Sequence, residues 1–327
     1  MRVGLASSTS ALCILATAVL TGCSGGASQS SAPIAVAPAP TPSPSPSPTP
    51  TPTPTPTYST LAALTGDQTY KTACAGKNNA AVPPAPLPAT TFGGGFAFSY
   101  TASSSAYALS GNGLSFSFGP SQRDPAAPTS ANTYIVTDVA TGFVSRFTLG
   151  VPTAGGTALT YAGGFSLATN PNQYQCSYGV PTLATDLPAA TYTYSKISLN
   201  GTIAKYDASM APASLTNYRT TPSVVTLSIN PVSKTISGTI VLTGNQILSG
   251  GTFGPDEAFG SYTITGTIDT ANGSYYANIA NSTGVVVGNL GGWFYGPQGI
   301  ETLGSLSFTV NTSGGQIIGL ANLAAIK

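Results

Sequence analysis

The 327-residue chain carries charge on only 6% of its residues, ten Lys and Arg against nine Asp and Glu, while 41% are hydrophobic. Such a balance excludes the clustered basic footprint that holds nucleic acid, and 16 Tyr and 12 Phe supply a packed core rather than charged disorder. There is no His, which removes the usual general base, the commonest zinc ligand and a histidine axial ligand for haem, so no metal or cofactor is expected.

Met1 and Arg2 make a short basic start, and residues 11–20 (ALCILATAVL) form an apolar run of signal-peptide length, short of a comfortable bilayer span. The run ends in Leu20-Thr21-Gly22-Cys23, which resembles the lipobox of bacterial lipoproteins. The resemblance implies a signal peptide over residues 1–22, cleavage after Gly22 and acylation of Cys23; a conventional signal peptide with a chance cysteine is the alternative. Ser24 stands where Asp would imply inner-membrane retention, so the outer membrane is the expected address. Loss of Arg2 leaves nine Lys and Arg against nine Asp and Glu. Acyl chains on Cys23 would hold the chain to the membrane at ~0.8 kcal/mol per buried methylene.

From Pro38 to Pro56 every second residue is Pro. Proline fixes φ and has no N–H, so residues 38–56 are expected to extend as polyproline II, roughly 60 Å at ~3.1 Å per residue, within a segment 23–57 made of a lipidated Cys and a Pro/Thr/Ser-rich stalk. Residues 58–190 show uneven β patterning: Phe96, Phe98 and Tyr100 alternate with smaller residues, as do Leu114, Phe116 and Phe118, and further strands are expected at 134–139 and 143–149. Cys74 and Cys176 are the cysteines left after cleavage and acylation. In an oxidising compartment they pair, closing a loop worth ~4–5 kcal/mol in the chain-entropy model, or else remain two buried thiols.

After residue 190 the rhythm becomes regular. Strands are expected at 191–203, around Val225, Leu227 and Ile229, around Ile236 to Leu242, around Tyr262 to Ile268, and at 274–280, 284–293, 302–310 and 316–323. Asn272-Gly273 is the strongest hairpin signal. The fold class expected is all-β: a small N-terminal β-rich domain followed by an eight-stranded antiparallel up-and-down β-barrel, with in-strand Gly238 and Gly266 at its tight bends.

The stretch Trp293-Phe294-Tyr295-Gly296-Pro297, continuing through Glu301 to Gly304, holds the only Trp and one of two Glu in the chain. It resembles the closing hairpin of the transferrin-binding protein B barrel. Residues 223–242 and 262–268 are similar to earlier strands of that barrel, and 176–182 with 190–193 to its lead-in. The resemblance covers 191–327 as a barrel domain and implies a handle-like domain over 58–190; Leu303 departs from the family's Gly, and the chain has one lobe, without long charged loops. It implies a fold and a surface-lipoprotein class; with anchor, stalk and no catalytic constellation, a non-enzymatic binding module is expected, its partners the membrane, through the lipid anchor, and an extracellular protein, nutrient carrier or outer-membrane receptor.

Taken residue by residue, Phe294, Tyr295, Gly296, Pro297 and Glu301 read as structural, with Gly-Pro setting a turn and Glu301 accepting N–H groups across the hairpin. Asp256-Glu257, the one adjacent acidic pair, and Arg123-Asp124 read as loops beside Gly or Pro. Tyr275 and Tyr276 fit either an interaction surface or barrel packing. No ligand-binding residue is named by the pattern. A structural or adhesive envelope protein is the competing reading; an integral outer-membrane barrel is disfavoured, since strands rich in outward Thr and Asn are costly in hydrocarbon. Mass spectrometry of the folded, unreduced chain is expected to find Cys74 and Cys176 in one cross-linked peptide pair, and two alkylatable thiols would eliminate the bridge.

Overall fold

The computed structural model describes residues 56–128, 132–209 and 214–327. The signal segment, Cys23 and the proline-rich stretch up to residue 55 lie outside the described residues.

Twelve short strands come first: β1 (Gln68–Tyr70), β2 (Ala73–Asn78), β3 (Ala85–Leu87), β4 (Ala97–Thr101), β5 (Ala106–Gly111), β6 (Leu114–Phe118), β7 (Asn132–Thr137), β8 (Val144–Gly150), β9 (Thr153–Ala154), β10 (Thr157–Ala158), β11 (Ala162–Ala168) and β12 (Asn172–Gly179). They form a four-stranded sheet in the order β1-β4-β5-β6, a six-stranded sheet in the order β3-β2-β12-β11-β8-β7, and the small β9–β10 pair. The alternation read at Phe96 to Phe118 places apolar side chains on one face of the first sheet. That face closes on the second, and the filling is aromatic: the Phe98 ring packs against Tyr70, Tyr107, Phe147, Phe165 and Tyr178. Cys74 and Cys176 lie directly opposite each other on β2 and β12 and are joined in a disulfide inside this core.

Ten strands follow: β13 (Tyr192–Thr193), β14 (Lys196–Asp207), β15 (Ser214–Arg219), β16 (Val224–Asn230), β17 (Thr235–Ile247), β18 (Phe253–Asp269), β19 (Ser274–Ala280), β20 (Val286–Tyr295), β21 (Glu301–Thr312) and β22 (Gly315–Ile326). All pair antiparallel in one sheet, and the β17–β18 pairing brings that sheet back on itself as a ring. The expectation was eight strands, and hydrogen bonding gives ten. The difference lies in two interrupted courses: Thr193 opposes Ser228 and Thr202 opposes Arg219, so β13 with β14 and β15 with β16 keep one register across their breaks. Pro222, which has no N–H to give a ladder, sits in the second break. Gly254-Pro255, expected in a loop, lies inside β18 instead, where the register against β17 shifts between Asn245 and Ile247 and absorbs the two residues.

Side chains inside the ring include Leu227, Ile236, Ile240, Ile264, Ile279, Leu290, Leu306, Phe308 and Leu323, all buried. One wall of the ring, β20 to β22, is also buried on its outer face, where the six-stranded sheet covers it. Small residues meet there: Ser305 Oγ donates to the Ala73 carbonyl at 3.2 Å, Ser307 Oγ to the Leu87 carbonyl at 2.7 Å, and a Cβ on Gly291 would strike the Thr90 carbonyl.

Burial pushes the Tyr107 hydroxyl up to about 12, with Tyr134, Tyr100 and Tyr70 adding to the effect, and pushes Tyr192 up to about 12 against a lowering bond with Tyr194. Both folded values lie above the unfolded one, so the stability these groups contribute is fully present below pH ~10 and is lost as pH rises through ~12. The thermal midpoint followed by circular dichroism is expected to fall steeply above pH ~10; a level midpoint up to pH ~12 would contradict the burial of these phenols.

Candidate functional site

The β20–β21 hairpin carries the rarest residues, and the fold encloses them. Trp293 is 6% exposed, Phe294 1%, Tyr295 0% and Glu301 4%. Gly296 has φ of 69° and stands where a Cβ would enter the Tyr161 ring, so the Gly-Pro turn admits no larger residue. The turn continues through Pro297–Gly299, and the Ile300 N–H closes it on the Pro297 carbonyl at 3.0 Å. Residues 180–182 wrap the hairpin from outside. The Thr182 N–H donates to the Phe294 carbonyl at 2.9 Å, the Thr182 hydroxyl to the Gly296 carbonyl at 2.6 Å, and the Gly296 N–H to the Val180 carbonyl at 3.1 Å. Trp293 packs edge-on against Phe92. Gly304 leaves room for the Tyr275 hydroxyl, to which the Thr302 hydroxyl donates at 2.9 Å. Tyr275 is therefore core, while Tyr276 is half-buried beside Ala75, Ala89 and Leu320.

Glu301 does not act across its own hairpin. Its carboxylate accepts the backbone N–H groups of Thr160 at 2.6 Å, Tyr161 at 2.8 Å and Ala162 at 3.2 Å, from a segment about 140 residues earlier. No pattern local to the hairpin signals that partner. Enclosed in this way, Trp293, Phe294, Tyr295 and Glu301 are out of a ligand's reach, and the turn exposes only Gln298 and Ile300.

Accessible chemistry gathers instead at one end of the ring, in a cavity of about 380 Å³ lined by Lys205, Tyr206, Asp207, Glu257, Phe259 and Thr312. Asp256 and Glu257 are on strand β18, not in a loop. Lys205 Nζ donates to Glu257 Oε1 at 2.5 Å and the Tyr218 hydroxyl donates to Oε2 at 2.6 Å, so both carboxylate oxygens are engaged. Burial raises the Glu257 carboxyl, but the bonds from Lys205 and Tyr218 outweigh it and hold the group below its ordinary value. A carboxylate kept charged and doubly bonded is a poor general acid. Asp256 accepts from the Asn245 amide, and the Arg219 guanidinium lies 4.3 Å over the Phe253 ring. Elsewhere, Asp124 is 4% exposed and pairs with Arg146 at 2.5 Å, so Arg123-Asp124 is anchored rather than a free loop. Among the described residues no three His, Cys, Asp or Glu side chains group as metal ligands.

Next to the cavity the ring has an open edge. Strand β18 pairs with β19 only from Thr263 onward, so its first ten residues are paired on the β17 side alone. Exposed apolar side chains flank this stretch: Phe253 at 47% and Leu248 at 41%.

No protein-family model matches the chain, and no curated protein matches it in sequence. Solved structures of transferrin binding protein B are similar to it in fold. The protein from Haemophilus parasuis is 14% identical, with a TM-score of 0.39 over 79% of this chain and 45% of that one. That from serogroup B Neisseria meningitidis is 14% identical, with a TM-score of 0.39 over 79% and 43%. Intact Ap-TbpB, with its N and C lobes, is 14% identical, with a TM-score of 0.37 over 79% and 46%. The chain thus spans less than half the length of these structures, and the likeness is one of fold.

Replacing Glu301 with Ala would leave the backbone N–H groups of Thr160, Tyr161 and Ala162 without their acceptor, at ~1.5–3 kcal/mol for each bond to a charged group and less than additively. The urea midpoint of the Glu301→Ala chain is expected to drop by at least ~3 kcal/mol in stability. A loss under ~1 kcal/mol would show that the carboxylate does not hold the segment.

Proposed function

We propose that this chain is a non-enzymatic binding module: an outer-membrane lipoprotein, anchored through Cys23 and carried on the proline-rich stalk of residues 23–57, that takes up an extracellular protein or nutrient carrier. In this reading residues 58–190 are a handle-like domain, residues 191–327 are the binding domain, and the hairpin from Trp293 to Gly304 closes the ring as a structural element. The observation that carries the reading is the half-paired stretch of β18 beside Phe253 and Leu248. Its unpaired N–H and C=O groups are a template for an added strand, and flanking apolar and aromatic side chains are what a protein interface buries. Arg219, Asp256 and the Lys205–Glu257 pair lie around it and give such an interface its polar rim. The lipobox and stalk support an outward-facing placement.

Protease added to intact cells is expected to cut the chain. Full-length chain used as bait in growth medium is expected to capture a partner that Phe253→Asp loses without a change in thermal midpoint. A chain untouched by protease on intact cells would make extracellular capture untenable. A deletion that weakens the envelope or attachment and leaves nutrient use unchanged would select the structural or adhesive reading instead.

A further inference from the structure

A second cleft, of about 320 Å³, opens between the six-stranded sheet and the ring and shares no residue with the charged end. Strands β8, β11 and β12 form one side and β14 and β22 the other. Its polar lining is Thr148, Ser166, Gln175, Asn200, Thr202 and Asn322, and none of these side chains ionises near neutral pH. Val151, 58% exposed, and Pro152 supply an apolar patch at the rim.

The amides are held in place by the fold. Asn322, 6% exposed, shares the single Ser305 hydroxyl proton with the Ala73 carbonyl, its Oδ1 lying 2.9 Å from Ser305 Oγ, and donates to Gln175 Oε1 at 3.3 Å, while Asn200 Nδ2 donates to the Thr153 carbonyl at 3.1 Å. These bonds use both ends of the Asn322 amide and one end each of Gln175 and Asn200. Gln175 Nε2, Asn200 Oδ1 and the hydroxyls of Ser166 and Thr202 are left for the cleft, which gives a mixed set of donors and acceptors fixed before any ligand arrives. Glycines keep the space open. A Cβ at Gly150 would meet nothing within 4 Å, and one at Gly164 would stand 3.2 Å from both Asn322 Nδ2 and Pro152 Cγ.

The chemistry of the lining selects among ligands. A charged group would lose hydration with no opposite charge in the cleft to offset it. A wholly apolar molecule would cover the amides and leave them unpaired. Ligand sites are concave, run from about 300 Å³ upward, and combine a few fixed polar groups with apolar walls. A sugar ring fits on all counts: each hydroxyl both donates and accepts, and its C–H face packs against Val151 and Pro152.

We propose that this cleft binds a neutral carbohydrate unit. The assignment stands on the cleft alone and does not depend on the β18 edge binding a protein.

The test uses the full chain in detergent, with maltose and N,N′-diacetylchitobiose as neutral probes and glucuronate and glucosamine as charged ones, read by saturation-transfer NMR and calorimetry. Saturable binding of at least one neutral disaccharide is expected, weakened at least ~10-fold by Asn200→Ala and by Gly150→Leu, the latter filling the cleft from a position with free space. Thermal midpoints within error of the parent chain show that both variants fold; if Asn200→Ala does not fold, Thr202→Ala, which loses one hydroxyl, takes its place with the same expected loss. The assignment is overturned if neither neutral sugar binds saturably, if Gly150→Leu binds them undiminished, or if the charged sugars bind as tightly. Partner capture lost through Phe253→Asp tests the β18 edge separately, so each site can fail while the other stands.

Discussion

Strands β20, β21 and β22 have no solvent face along most of their length, and the rest of the molecule is arranged around that constraint. From Glu301 to Phe308 and from Ile317 to Ala325 every residue is buried. A strand covered on both sides loses the alternation of apolar and polar residues and reads as a nearly continuous apolar run, as 317–326 does. The inner face carries bulk, in Leu306, Phe308 and Leu323. The outer face has to admit a second sheet, so it is built from Gly291, Ser305, Ser307 and Asn322, whose hydroxyl and amide groups bond the backbone and side chains that close over them. A buried serine is tolerated there because a carbonyl of the opposing sheet meets it.

The same constraint explains why a carboxylate sits in this wall. Glu301 is 4% exposed and pairs with no cation among the described residues; three consecutive backbone N–H groups hold its carboxylate instead. Hydrogen bonds to an ionised acceptor are roughly twice as strong as neutral ones, and removing the acceptor leaves each donor desolvated. The bond set therefore ties residues 160–162 to the first residue of β21. With residues 180–182 gripping the other arm of the hairpin, the two sheet systems share one interface rather than hanging on a linker. The disulfide and the Phe98 cluster lie a layer further out and rigidify the sheet that makes this contact.

What could be read in the sequence follows from which signals are local. The strands from β16 to β19 alternate along their own length, so Leu227, Ile264 and Ile279 are legible in the sequence, and Gly296-Pro297 marks its turn. Strand β15, Ser214–Arg219, did not: only Tyr218 of its six residues is buried, and Leu215 points apolar surface to solvent. Gly254-Pro255 pointed to a loop because a proline in a strand needs a register shift, and that shift depends on the partner β17. The long-range bonds of Glu301, and the contribution of Thr148, Gln175, Asn200 and Asn322 to one cleft, join positions up to about 175 residues apart. Periodicity carries no trace of such pairings. Tyr275 and Tyr276 were ambiguous for a related reason: adjacent residues on a strand face opposite ways, and which face is interior is set by the ring.

Both accessible sites lie where one layer stops covering another. The wall spends its polar groups internally, and its hydroxyls, carboxylate and indole are enclosed, so specificity toward an outside molecule has to come from groups left over. At the β18 edge the leftover groups are main-chain N–H and C=O, framed by Phe253 and Leu248, and they suit an extended chain. In the cleft they are the unused ends of Gln175 and Asn200, whose other ends help hold β22 against β12 and β14 against residue 153. The bonds that fix the two sheet systems together thereby fix the orientation of the free half. Any slippage of that interface would misplace the cleft amides before it exposed the core, which makes recognition there a more sensitive reporter of the interface than global stability.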